Sequence, residues 1–157
     1  MTAQVTQVLV VCSGNTCRSP LAAAILADLL AADAALAALT VSSAGTGARE
    51  GAPASEGSYL IALERGLDLS AHRSQQVSGD MVREADLILT MSEAHARRIA
   101  ELGGAGKVHL LTSFAGGPSG DIPDPFGQDV AAYRETADRL ELLMARVAAR
   151  LRRAQPT

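Results

Sequence analysis

The chain has 157 residues, 48% of them hydrophobic and 20% charged, with a net charge of −3 and two cysteines. That length suits one domain with a full apolar core over residues 1–157, and the balance excludes a disordered chain. Two cysteines are too few for a disulfide scaffold, and the slightly acidic charge gives nucleic-acid binding no footing.

The opening residues, MTAQVTQ, lack the basic start of a secretion signal. QVLVV (Gln7 to Val11) is a short run rich in β-branched residues, suited to a strand covered on both faces. Ser19 followed by Pro20 reads as a helix start, with serine as N-cap and proline at the first helical position, and the helix is expected to reach Ala38. The most apolar region, Leu21 to Val41, is broken by Asp28 and Asp33, which fits such a helix better than a membrane span. A cytoplasmic protein with no membrane partner is expected.

LTVSSAG (Leu39 to Gly45) predicts a second strand, and Ser55 to Glu64 a helix stopped near Gly66. ADLILTM (Ala85 to Met91) predicts a third strand, followed by the helix SEAHARRIAEL capped by Ser92. KVHLLTSF (Lys107 to Phe114) predicts a fourth strand. After a Gly/Pro-rich loop, a last helix is expected from Gln128 to Arg153. Its residues Tyr133, Ala137, Leu140, Met144, Val147 and Leu151 recur in steps of four and three, forming one buried stripe. Arg146, Arg150, Arg152 and Arg153 sit at its end, where cations complement the helix dipole. Strands alternating with helices imply a parallel sheet covered on both faces, with ligands bound beyond the carboxyl ends of the strands.

The loop after the first strand carries the chemistry. Between Cys12 and Arg18, SGNTC supplies successive amides that can curl into an anion-binding nest at a helix start. Gly14 is expected to free the bend of a Cβ, and Asn15 to take a left-handed conformation. Arg18 adds a planar fork that matches two phosphate oxygens. Cys12 lies in the same positive field, which favours its thiolate, and the Ser19 hydroxyl can donate to the sulfur. A nucleophile and the oxygens of a dianion thus meet at one point, as phosphoryl transfer to a cysteine requires.

Such transfer also needs a proton for the leaving group. DIPDPFG (Asp121 to Gly127) supplies it from a proline-stiffened loop on the same side of the sheet. Asp124, held extended by Pro125, is the expected acid, and Asp121 is expected to order the turn. No cysteine or histidine pair completes a metal site, and no Gly-Lys-Ser/Thr makes a nucleotide loop, so neither metal nor cofactor is expected. His95 and His109 have no evident partner and are expected to be structural or surface residues.

These stretches resemble the low-molecular-weight protein tyrosine phosphatase family, and are most like its protein arginine phosphatase subgroup. The resemblance runs over nearly the whole chain, through VCSGNTCRSP, SSAGT (Ser42 to Thr46), HRSQQV (His72 to Val77), ADLILTM and DPF. It implies an α/β three-layer sandwich whose four-stranded parallel sheet has the order 2-1-3-4. It also implies a nucleophile at Cys12, a phosphate-binding arginine at Arg18 and a proton donor at Asp124. Ser13, Gly14, Asn15, Thr16, Cys17 and Arg18 would form the phosphate loop, with Asn15, Ser19, Ser43 and His72 supporting it by hydrogen bonds.

Phosphorylated proteins are then the expected substrates of a monomeric enzyme, and phosphate or other oxyanions its product or inhibitors. Tyrosine phosphatases of the family usually carry an aliphatic residue where this chain has Thr16; threonine looks like the arginine phosphatases. Thr16 and Phe126 are the expected specificity residues, with GAREGAP (Gly47 to Pro53) and Asp121 to Gly127 as the rim. The alternative within the family is a tyrosine phosphatase. Outside the enzymes it is an anion-binding or redox-sensing module, which would need no acid at Asp124. Arsenate reductases share the loop, but their relay needs further cysteines. Cys17 is expected either to pack beneath the loop or to close a reversible disulfide with an oxidised Cys12.

Overall fold

A computed structural model describes residues 4–155. In it Gln7–Cys12 forms β1, buried from Val8 onward. An apolar strand of this kind must be covered on both faces. Val8, Val10 and Cys12 join one core; Leu9 and Val11 join a second on the opposite face.

The remaining elements are α1 (Arg18–Ala31), β2 (Thr40–Gly45), α2 (Glu56–Glu64), α3 (Gly79–Glu84), β3 (Leu87–Thr90), α4 (Glu93–Ile99), β4 (Val108–Leu110), α5 (Leu111–Phe114) and α6 (Val130–Arg153). The strands lie in the order β2-β1-β3-β4, and each pair is parallel. α1, α2, α5 and α6 cover the face with the larger core, through Leu21, Ile61, Leu111 and Leu140 among others. α3 covers the other face through Val82, and α4 through Ile99. The expected three-layer sandwich and its strand order are both present.

Several boundaries differ from the sequence reading, each for a physical reason. α1 begins at Arg18 with Cys17 in the capping position and no side-chain cap. Pro20 falls within the first turn, where a missing N–H costs nothing. Ser19 is therefore inside the helix, and its hydroxyl is free for the site. The helix stops at Ala31 rather than Ala38. Its 14 residues span about 21 Å and a six-residue strand about 20 Å, so seven more would overshoot the sheet by about 10 Å. Asp33 accepts the Ala35 N–H and turns the chain back, letting Leu36 reach the core.

The predicted strand over Lys107–Phe114 is shorter and gives way to α5. Leu111, Phe114 and Ala115 are all buried, and a helical turn sends that spacing to one side where a strand would split it. α3 was not expected from the sequence. Six residues are too few to show a period, although Ser78 caps the Met81 N–H in the usual way. The cap expected at Ser92 is present, accepting from His95 N–H, and Ser55 caps α2 by accepting from Ser58 N–H. In α6, capped by Asp129, every residue of the expected stripe is buried. Of its terminal arginines, Arg150 lies 4.0 Å over the Phe114 ring and Arg152 pairs with Asp33.

Candidate active site

β1 sits between β2 and β3 in the sheet, so the chains leaving its two neighbours diverge above its carboxyl end. Cys12 ends β1 there, and Arg18 opens α1. The residues between them coil into a tight loop whose only positive φ is at Asn15, 57°. Asn15 tolerates that conformation because its short polar side chain can bond locally. Gly14 lies within the bend of the loop. Its φ is not positive, and the place of its missing Cβ, 3.7 Å from Thr16 Oγ1, borders the pocket. Gly45 is needed for close approach: a Cβ there would overlap the Ser13 carbonyl as β2 passes beneath the loop.

Asn15 is the hub of the loop and is fully buried. Its Nδ2 donates to Ser19 Oγ at 2.8 Å and to Ser43 Oγ at 2.9 Å. Its Oδ1 accepts the Gln75 N–H at 3.0 Å, and its carbonyl accepts from His72 Nε2 at 2.7 Å. Gln75 Nε2 also donates to the Ser43 carbonyl, tying the hub to β2. Ser19, Ser43 and His72 thus all hydrogen-bond to Asn15. Gln75 was missed, although the HRSQQV stretch contains it.

Cys12 Sγ lies 2.9 Å from Ser19 Oγ. That oxygen already accepts a hydrogen from Asn15, so its own proton is free to point at the sulfur. A sulfur that receives a hydrogen bond is favoured as thiolate. No backbone N–H from Ser13 to Arg18 donates to another group among the described residues. The loop therefore keeps its amide donors available for an anion.

Arg18 is only 6% exposed. Its Nη1 donates to the Ile122 carbonyl at 2.8 Å; its Nη2 lies 3.5 Å from Ser13 Oγ and 3.6 Å from Asp124 Oδ2. Its Nε is buried with no partner among the described residues. A guanidinium with a donor to spare, beside free amides and a cysteine sulfur, is equipped for a dianionic ligand. Ile122 was not foreseen. It locks the acid loop from both sides, since its own N–H bonds the Met91 carbonyl.

Asp124 is half exposed, and its Oδ1 accepts the Phe126 N–H at 3.1 Å. Asp121 lies apart: its carboxylate accepts the Glu93 N–H at the start of α4. A pocket of about 180 Å³ is lined by Cys12, Gly14, Thr16, Cys17, Arg18, Asp124 and Phe126. Its one aromatic wall is Phe126. The GAREGAP segment does not line this pocket; it packs on Ser74 through Gly51 and Ala52.

Thr16 lines the pocket, while its carbonyl accepts the Ser55 N–H at 2.9 Å. Cys17 and Cys12 are both free thiols. The Cys17 thiol donates to Ser55 Oγ at 3.1 Å and lies 3.5 Å from the Tyr133 hydroxyl. Burial and the bond to Cys17 push the Tyr133 phenol up to about 12. The loop thus rests on α2 and α6 through Cys17, which packs beneath it as the first of its two expected roles has it.

Of the two places expected for His95, structural or surface, the structure has the first. His95 is buried, with Nε2 2.8 Å from Ser13 Oγ. Burial first, and then the Arg18 charge, push its pKa down to about 4, against the opposing pull of Asp121 and Asp124. Below its ordinary value of 6.5, the unfolded chain binds a proton that the folded protein refuses. Stability must therefore fall as pH drops through the window from 6.5 towards 4. From pH 7.5 to pH 5 the expected loss is about 2 kcal/mol. Urea unfolding at the two pH values should show a drop in wild type that His95→Gln reduces by that amount. Equal drops in both proteins would show that His95 is not the titrating group.

Comparison with known proteins follows the same lines. Residues 7–157 match the model of the family described as low molecular weight phosphotyrosine protein phosphatase. A protein-arginine-phosphatase of Geobacillus stearothermophilus is 38% identical over 151 residues, covering 95% of this chain and 98% of that one. A probable low molecular weight protein-tyrosine-phosphatase, EpsP of Ralstonia nicotianae, is 35% identical, covering 85% of this chain and 88% of its own. Among solved structures, a mutant of YwlE arginine phosphatase with a phosphorylated active-site serine superposes with a TM-score of 0.88. It is 31% identical, over 95% of this chain and 97% of that one.

Proposed function

The chain belongs to the low molecular weight phosphotyrosine protein phosphatase family, and on that premise we propose that it removes phosphate from phosphoarginine in proteins. The observation that carries the choice of substrate is Thr16, which lines the pocket beside Cys12 and Arg18. A hydroxyl there keeps about the volume of an aliphatic wall and adds a polar contact for a guanidinium, or for the water that later replaces it. The named activity of the Geobacillus relative supports the same reading.

The reaction follows from the geometry in two steps. The loop amides and Arg18 hold the phosphoryl oxygens and balance their charge in the transition state. The Cys12 thiolate attacks phosphorus, the P–N bond breaks, and the protonated Asp124 carboxyl gives its hydrogen to the departing nitrogen. Asp124, now a carboxylate, takes a proton from water as that water attacks the phosphocysteine. The S–P bond breaks, phosphate leaves and the thiolate returns. Ser19 steadies the thiolate in both steps by its hydroxyl hydrogen bond.

A tyrosine substrate is the competing reading, because Phe126, 68% exposed at the pocket mouth, can stack on a phenol as well as on a guanidinium. Phosphoarginine and phosphotyrosine peptides of matched sequence separate the two. Wild type is expected to prefer phosphoarginine in kcat/KM, and Thr16→Ile to shift the ratio towards phosphotyrosine by about 10- to 100-fold, the discrimination of one to three kcal/mol available to a single wall. A tyrosine preference in wild type would make the protein a tyrosine phosphatase with a sparse rim.

A further inference from the structure

We propose that His95 is a positioning residue for the phosphate loop, holding the Arg18 guanidinium in register through the hydroxyl of Ser13. The role rests on the reading that Arg18 binds the phosphoryl group. Three observations lead to it.

First, the residue is held at its backbone and at one ring nitrogen. Its backbone N–H is capped by Ser92 Oγ at 3.2 Å, which places His95 in the first turn of α4, directly after β3. Its Nε2 lies 2.8 Å from Ser13 Oγ, while Nδ1 is buried and has no partner among the described residues. Ser13 is thus the ring's one hydrogen-bond partner in that set. A polar ring buried with one nitrogen unpaired costs stability that an apolar side chain of like size would not.

Second, the contact continues to the arginine. Ser13 Oγ is 3.5 Å from Arg18 Nη2. A guanidinium can only donate, so the serine oxygen accepts from it and shares one hydrogen with the neutral imidazole. Nη1 is already tied to the Ile122 carbonyl. Asp124 Oδ2, 3.6 Å from Nη2, adds an ion pair beyond hydrogen-bond distance, so one hydrogen bond leaves the planar fork able to pivot; a second, from Nη2 to Ser13, fixes its plane. Ser13 is itself exposed and its hydroxyl free to change rotamer unless His95 holds it.

Third, the start of α4 is bound to the acid loop. Asp121 accepts the Glu93 N–H, two residues before His95. The same helical turn therefore sets the acid loop and, through Ser13, the arginine. A neutral ring suits this role, because an imidazolium would repel the guanidinium it positions.

The test measures p-nitrophenyl phosphate turnover and its inhibition by inorganic phosphate for wild type, His95→Ala, His95→Gln, Ser13→Ala and the Ser13→Ala/His95→Ala double variant. In His95→Ala, KM and the phosphate Ki should rise about tenfold, the size of one hydrogen bond to a charged group, while kcat changes by less than about threefold. Ser13→Ala should show the same loss, and the double variant no more than either single change, because both cut one chain of contacts. His95→Gln, whose amide nitrogen reaches the place of Nε2, should recover most of the affinity. Ser13→Ala with wild-type phosphate affinity, or losses that multiply in the double variant, would overturn the role. Ser13 is exposed, so its variant decides the matter even where His95→Ala fails to fold. A wild type without turnover would contradict the phosphatase reading itself; turnover with unchanged Ki in every variant would contradict only the role of His95.

Discussion

Cys12→Ser is expected to lower kcat on an aryl phosphate by roughly 10⁴-fold or more while inorganic phosphate still binds. The loop that receives the oxygens does not depend on the sulfur: it is shaped by Asn15, by Ser43 and Gln75 around it, and by Arg18. The sulfur's recorded neighbour is Ser19, a hydroxyl that steadies a thiolate by donation and is no base for a serine. A serine oxygen at position 12 would keep its proton at neutral pH and attack slowly. Product inhibition of any residual turnover, or direct phosphate titration of the variant, measures the binding half. Cys12→Ser retaining more than a few hundredths of the rate would mean that water attacks the substrate directly.

Asp124→Ala carries the second large effect, a fall in kcat of about 10²–10⁴-fold. The size should depend on the leaving group. p-Nitrophenolate departs readily without a proton, whereas a guanidine nitrogen does not, so the loss should be greater on a phosphoarginine peptide. Binding should behave differently. Asp124 Oδ2 sits 3.6 Å from Arg18 Nη2, so removing the carboxylate frees the guanidinium rather than crippling it. The phosphate Ki of the variant should therefore match or fall below that of wild type. Equal kcat losses on both substrates would remove Asp124 from the role of acid and leave it only a partner of Arg18.

The parts legible in the sequence are those written locally. The apolar run before Cys12, the cap at Ser92, and the stripe of α6 each declare themselves within a few turns of chain. The stretch from Cys12 to Arg18 was legible for the same reason, since nucleophile, left-handed Asn15 and guanidinium fall in one loop. Ser19 shows where local rules lose. Ser-Pro reads as a cap, yet contacts to Asn15 and Cys12 claim the hydroxyl, and the helix begins one residue before it.

The site's other supports are set by pairs far apart in sequence. Arg18 with Ile122, Cys17 with Tyr133, and Ser13 with His95 are separated by 104, 116 and 82 residues. Nothing in SEAHARRIAEL marks its histidine as buried; only the packing of α4 beside the loop does so. The alanine-rich run after Ala31 misled in the opposite sense, because helix propensity yields to the length of the sheet it must span.

The most direct test of the account is to catch the phosphoryl group on its way. Wild type and Asp124→Ala are mixed with p-nitrophenyl phosphate, whose leaving group departs without the acid, quenched in denaturant, and the modified residue is located by mass spectrometry. The predicted result is one phosphoryl group on Cys12 that accumulates in Asp124→Ala, where water is no longer activated, and is absent from Cys12→Ala treated alike. Release of phosphate with no adduct at Cys12, or an adduct at another residue, would contradict transfer through the cysteine.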